Sequence, residues 1–144
     1  MKNPYTSGRD GRGGGCLCGK IRYMLMAEPA VVAICHCTNC QKQGGGAFSV
    51  NLALARADVR MSGELSVFED KADSGGVVLR GFCGACGSPI LSELPGRPKH
   101  VYVKAGTLDD RSGIVPTMQV WCRSAQPWVE LNKNLPTFER QALA

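Results

Sequence analysis

Long hydrophobic runs are missing from this chain. The longest apolar stretch, Ala30 to Cys35, is a small fraction of the about 20 residues a membrane helix requires, so no membrane partner is expected. The segment Met1 to Gly15 holds no apolar core of the kind a secretory signal carries, and neither end shows a lipidation motif. The expected compartment is the cytoplasm, where thiols stay reduced. A sustained 3.6-residue apolar stripe is also missing, which limits any helix to a turn or two, after Cys37 or near Leu108 to Arg111. The glycines at 8, 11, 13, 14 and 15 lack the Lys-Ser/Thr ending and following helix of a phosphate loop. They read as a flexible leader, with residues 1–14 outside and 15–144 inside a single domain. Strong charge is the last absence. The formal net charge is +5, and seven bound thiolates with two divalent ions would lower it to about +2, too little to draw a nucleic acid.

What is present is an ordinary globular composition, 44% hydrophobic and 20% charged in 144 residues, enough for one core. Ile21, Tyr23 and Leu25 alternate with Arg22, Met24 and Met26, the period of a strand over Lys20 to Met26. Further strand signals lie at Val31 to Ile34, Ala47 to Leu54, Leu65 to Phe68, Val77 to Phe82, Ile90 to Glu93, His100 to Lys104 and Met118 to Cys122. Short runs broken by Gly, Pro, Asp and Ser predict a mainly β, antiparallel fold.

Seven of the eight cysteines form three tight clusters: Cys16 and Cys18; Cys35, Cys37 and Cys40; Cys83 and Cys86. A closed tetrahedral metal site takes four ligands, and a catalytic one keeps three with an open corner. Seven divides into four and three. The Cys83-Gly84-Ala85-Cys86 turn is half of a zinc knuckle, and the pair Cys16 and Cys18, followed by Gly19, is its best partner. Together they would staple strand ends far apart in sequence, which gives such a site its leverage on stability. Cys35, Cys37 and Cys40 remain as a trio able to hold a second zinc with a vacant corner for a thiol, water or carbonyl oxygen.

Other readings of the same residues stay open. Both sites could be purely structural, with His36 or a distant group completing the second; disulfides and a thioredoxin-like CxxC are weaker options, for want of an export signal and a βαβ context. Cys122 reads as a small buried hydrophobe, or as a fourth ligand to the trio. His36 should point away from the metal, in a supporting or surface role, and His100 reads as structural. The run Gln41 to Gly46 reads equally as a mobile rim or a plain turn. Lys42 and Arg123 read as solvated surface able to meet a ligand's carboxylates, Trp121 and Trp128 as core or pocket wall, and Asp109 with Asp110 as a turn or capping pair.

The ordered segments Gly15-Cys16-Leu17-Cys18-Gly19-Lys20-Ile21-Arg22-Tyr23, Cys35-His36-Cys37-Thr38-Asn39-Cys40-Gln41-Lys42 and Phe82-Cys83-Gly84-Ala85-Cys86-Gly87-Ser88 resemble the glutathione-dependent formaldehyde-activating family. Gly106 to Asp110, and Trp121 with Ser124, Pro127 and Trp128, extend the resemblance from about Gly13 to Phe138. It implies a β-tent fold, a structural zinc at Cys16, Cys18, Cys83 and Cys86, and a catalytic-type zinc at Cys35, Cys37 and Cys40. The implied activity is addition of glutathione to formaldehyde giving S-hydroxymethylglutathione, a carbon–sulfur lyase reaction in reverse, with a small thiol such as glutathione and an aldehyde as partners. Binding proteins of the centromere protein V type share the implied fold, so a non-enzymatic zinc-binding module or a glutathione carrier is the alternative. Where many members carry a histidine two residues before the tryptophan, this chain has Gln119, which cannot act as a general base.

Overall fold

The computed structural model describes residues 11–142 apart from residue 73. Its strands are β1 (Arg12–Gly15), β2 (Arg22–Leu25), β3 (Val31–Cys35), β4 (Ser49–Ala55), β5 (Val59–Ser62), β6 (Ser66–Lys71), β7 (Val77–Phe82), β8 (Pro89–Glu93), β9 (His100–Lys104) and β10 (Met118–Val120), with one short helix, α1 (Thr38–Gly44). They form a three-stranded sheet, β1-β2-β5, and a seven-stranded sheet, β10-β3-β4-β9-β8-β7-β6. The fold is mainly β as the alternation predicts, with one departure from antiparallel pairing: β10 runs parallel to β3.

Alternation decides which side chains meet. Tyr23 and Leu25 from the small sheet, with Ile21 just before β2, pack with Val32, Leu52, Leu54, Ile90, Leu91, Val101 and Val103 from the large one in a single buried cluster. Each such side chain contributes about 1.5–3 kcal/mol when fully buried. Tyr23 Oη and Thr107 Oγ1 lie 2.6 Å apart, and Arg22 forms a two-pronged pair with Asp109. Asp109 thus ties β2 to the segment that follows Ala105–Thr107, while Asp110 makes the expected turn, accepting from the Ser112 N–H at 2.9 Å.

The expected leader requires correction where it enters the described residues. Arg12–Gly15 is strand β1, in register with Arg22–Leu25, and Asp109 N–H donates to the Gly13 carbonyl at 3.0 Å. Any Cβ on Gly14 would collide with the Tyr23 phenol and the Thr107 carbonyl, so glycine permits this close approach. Residues 1–10 lie outside the described residues. Strand β5 is also an addition. The expected helical turn near Leu108 to Arg111 instead occupies Ala105–Thr107, and the strand expected to reach Cys122 stops at Val120, where Trp121 turns to φ 55° and a 3-10 turn, Cys122–Ser124, begins.

Candidate metal centres and their cavity

The sulfurs of Cys16, Cys18, Cys83 and Cys86 all lie within 4.8 Å of one another, and so do those of Cys35, Cys37 and Cys40. Two nearest approaches in the quartet are 3.6 Å (Cys16 to Cys18) and 3.7 Å (Cys18 to Cys83); Cys35 and Cys40 in the trio are 3.6 Å apart. A tetrahedral ion with metal–sulfur bonds of about 2.3 Å sets its sulfurs about 3.8 Å apart. Either group could therefore hold a metal ion. A disulfide needs a sulfur separation of about 2.05 Å, and all eight cysteines are free.

The quartet is built by two matching turns. Gly19 and Gly87 follow the two cysteine pairs at φ 85° and 80°, the left-handed conformation that lets each chain fold back; Gly87 N–H donates to the Cys83 carbonyl at 2.7 Å. The Ile21 N–H points at Cys16 Sγ at 3.2 Å, and the Leu17 N–H donates to Ser88 Oγ, joining the two turns. Ser88 also holds the Cys86 thiol down to about 5, through its hydroxyl and then its N–H. Donors aimed at sulfur favour thiolate, the form a metal needs.

The trio sits at a junction of elements. Cys35 ends β3, Cys37 is the N-cap of α1 with its Sγ accepting from the Cys40 N–H at 3.2 Å, and Cys40 is buried in the first turn. Bonds from Cys35 and Cys37 hold the Cys40 thiol well below its usual range, with the Lys104 ammonium adding to the effect. Cys35 moves the other way, raised by its bonds to Cys37 and Cys40 and by burial. One sulfur ionises readily and its neighbours resist. A bound cation would let all three ionise together.

Cys35, Cys37 and Cys40 line a cavity of about 290 Å³. Its floor is a cross-strand ladder: Val120 beside Cys35, Ala33 beside Asn51, Asn51 beside Lys104, Tyr102 beside Ser92, and Ser92 beside Arg80. Register partners share a sheet face, so the other face of these strands carries the core. Arg80 is 4% exposed, with Nε donating to Asp70 at 2.8 Å and Nη1 lying 3.8 Å from Cys40 Sγ. Lys104 is 8% exposed and donates to Asn51 Oδ1 at 2.9 Å; burial pushes its ammonium below the usual range. Trp121 forms part of the wall and is the sole non-glycine at positive φ among the described residues, a conformation costing about 1–3 kcal/mol.

Some sequence expectations hold here and others change. Lys42 and Arg123 are exposed, as the solvated-surface reading expects, and do not line the cavity; Arg80 and Lys104 do. Trp128 is 71% exposed rather than core, its Nε1 donating to Gln126 Oε1. Gln41 belongs to α1 rather than to a mobile rim, donating to the carbonyls of His36 and Ser124. His100 is exposed at the start of β9. Cys122 is buried, as expected of a small hydrophobe, on a 3-10 turn and outside the trio. Gln119 is buried with its amide donating to the Asn132 carbonyl and Thr137 Oγ1, so it anchors the C-terminal segment and does not line the cavity. The same segment brings Gln141 to the cavity wall, with Trp121 N–H donating to the Arg140 carbonyl.

His36 is 1% exposed, packed edge-on against Phe48 at 5.4 Å, and neither ring nitrogen has a partner. The surface reading is therefore wrong, and burial lowers its pKa. An orphaned buried polar group costs about 1–3 kcal/mol. His36→Leu is expected to keep full metal content and to melt no lower than the wild type, checked by elemental analysis and thermal denaturation; loss of one ion per chain would instead make His36 a ligand.

Among the described residues no helix is long and apolar enough to cross a membrane. The sequence model of the glutathione-dependent formaldehyde-activating enzyme family matches residues 12–124. Among solved structures, the crystal structure of a Rhodobacter sphaeroides protein is similar in fold, at 21% identity and a TM-score of 0.53, covering 72% of this chain and 91% of that one. No curated protein matches the chain.

Proposed function

Because the chain belongs to the glutathione-dependent formaldehyde-activating enzyme family, we propose that it joins glutathione or a similar small thiol to an aldehyde at Cys35, Cys37 and Cys40, a carbon–sulfur lyase reaction run toward addition. In this reading the two sheets are a β-tent, zinc at Cys16, Cys18, Cys83 and Cys86 is structural, and zinc at the trio is catalytic. The observation that carries it is the asymmetry between the clusters. The quartet offers four sulfurs and no place for a guest, whereas the trio offers three and lines the cavity.

The chain's own residues divide the work. Cys35, Cys37 and Cys40 would hold the ion, which when bound supplies the Lewis acidity that keeps a substrate thiol ionised at neutral pH. Arg80 and Lys104, both buried beside the sulfurs, stabilise the anionic charge gathered there. Val120, Ala33 and Trp121 present an apolar wall beside the two cations. Gln119 takes no part in the chemistry.

Exchange NMR on glutathione, formaldehyde and S-hydroxymethylglutathione tests the reading. The interconversion rate should rise in proportion to added zinc-loaded protein and fall back to the uncatalysed rate after chelation. Binding of glutathione with no rate change would make the chain a carrier, and no binding would leave a zinc module without this activity.

A further inference from the structure

We infer that the aldehyde this site takes carries a carboxylate on its carbonyl carbon, as a 2-oxo acid of the glyoxylate type does, and that Arg80, Ser92 and Lys104 hold that carboxylate. The inference rests on the thiol-addition reading above.

The cavity floor carries the donors of Arg80, Ser92 and Lys104. Ser92 is 7% exposed and its Oγ, fully buried, has no hydrogen-bond partner. Buried hydroxyls are rarely left so, and Ser92 lines the cavity, where its hydroxyl is free to pair with a guest. Lys104 spends one bond on Asn51 out of the three its ammonium can donate, and Arg80 points Nη1 toward the sulfurs. Two nearby acceptors are already engaged, Asn51 Oδ1 by Lys104 and Asp70 Oδ2 by Arg80 and Asn39. A ligand that brings acceptors of its own would give the spare donors of Arg80, Ser92 and Lys104 their partners. Formaldehyde brings one oxygen, and that oxygen is the reacting one. A carboxylate brings two more, with about four lone-pair sites that suit a guanidinium, an ammonium and a hydroxyl together.

Position identifies which reactant carries it. Arg80 Nη1 lies 3.8 Å from Cys40 Sγ, and Arg80 and Ser92 are direct register partners on β7 and β8. Arg80 thus lies beside the sulfurs, with Ser92 and Lys104 lining the same cavity. The carboxylates of glutathione lie far along the peptide from its sulfur, whereas in a 2-oxo acid the carboxylate is on the reacting carbon itself. Three thiolates around a divalent ion, with Asp70, balance the two cations, so recognition comes from directed donors rather than from a net field.

The step needs no oxidant. The thiol sulfur bonds to the carbonyl carbon, the C=O π pair moves to oxygen, and oxygen takes up the proton the thiol released; a thiol and an aldehyde become one hemithioacetal.

Two measurements decide it. With glutathione as the thiol, kcat/KM from exchange NMR should favour glyoxylate over formaldehyde by about tenfold or more, and that ratio should fall by about tenfold in Lys104→Met and by severalfold in Ser92→Ala, with Lys104→Arg recovering part of it. Independently of turnover, Trp121 fluorescence in the Trp128→Phe chain should change saturably with glyoxylate and not with propionaldehyde, and the half-saturation should weaken by about tenfold in Lys104→Met. Circular dichroism checks that each variant is folded. A wild-type ratio near one, unmoved by the variants, overturns the inference and leaves thiol addition standing. A Lys104→Met loss that disappears when 2-mercaptoethanol replaces glutathione assigns the carboxylate to the thiol and overturns it too. Acceleration of neither aldehyde overturns the thiol-addition reading and the inference with it.

Discussion

Cys83→Ser is expected to unfold the protein. Cys83 is 2% exposed, stands at the junction of β7 and its following turn, and approaches Cys18 across 65 residues of chain at 3.7 Å. Serine is a hard ligand in place of a soft thiolate, so the quartet would lose its ion. Structural zinc sites contribute an apparent 10–16 kcal/mol, about as much as or more than the roughly 5–15 kcal/mol by which a domain is stable. Losing that contribution also frees the long loop between the two turns. The variant should show no cooperative thermal transition by far-UV circular dichroism, and chelating the wild type should reproduce this. A variant that melts within a few degrees of the wild type would show that the hydrophobic core alone holds the two sheets together.

The two cysteine groups were legible because their signal is local. Cysteines one or two residues apart announce a shared turn, and counting them by four and three reproduces the two groups that converge in space. Most strands were legible for the same reason, since alternation in Ile21, Tyr23 and Leu25 needs no knowledge of the partner strand. Strand β1 was not, because Gly13, Gly14 and Gly15 carry no alternation; what makes them a strand is the Tyr23 ring over Gly14. Strand β5 alternates as well, Val59 and Met61 against Arg60 and Ser62, but over four residues directly after the turn at Arg56–Asp58 the signal is too short to stand out.

The cations of the cavity were hidden in a different way. Arg80 and Lys104 look like ordinary outward-facing positions of amphipathic strands, and only the register of β7, β8, β9 and β4 turns that face into a floor. Lys42 and Arg123 drew attention by lying near cysteines in sequence, yet a helix and a 3-10 turn aim them at solvent. Gln119 shows the converse. A residue chosen for its place relative to Trp121 lies on the opposite side of β10 from the cavity, because its neighbours Val120 and Trp121 take the inner positions.

Cys37→Ser should separate the two clusters. Cys37 is the half-buried member of the trio and caps α1 through its Sγ, and serine is among the preferred residues at an N-cap, so the helix start survives the change. The substitution removes a soft ligand and little else. The variant is expected to bind one zinc per chain where the wild type binds two, to lose thiol addition down to the uncatalysed rate, and to keep a cooperative unfolding transition, since serine preserves the cap and the trio spans a loop of only six residues. Elemental analysis, urea denaturation and exchange NMR read the three quantities on one preparation. The contrast with Cys83→Ser is the informative quantity: the same chemical change, sulfur to oxygen, should abolish folding at one cluster and only chemistry at the other. If Cys37→Ser unfolds as completely, the trio braces the sheet as the quartet does, and its opening onto the cavity has no catalytic meaning.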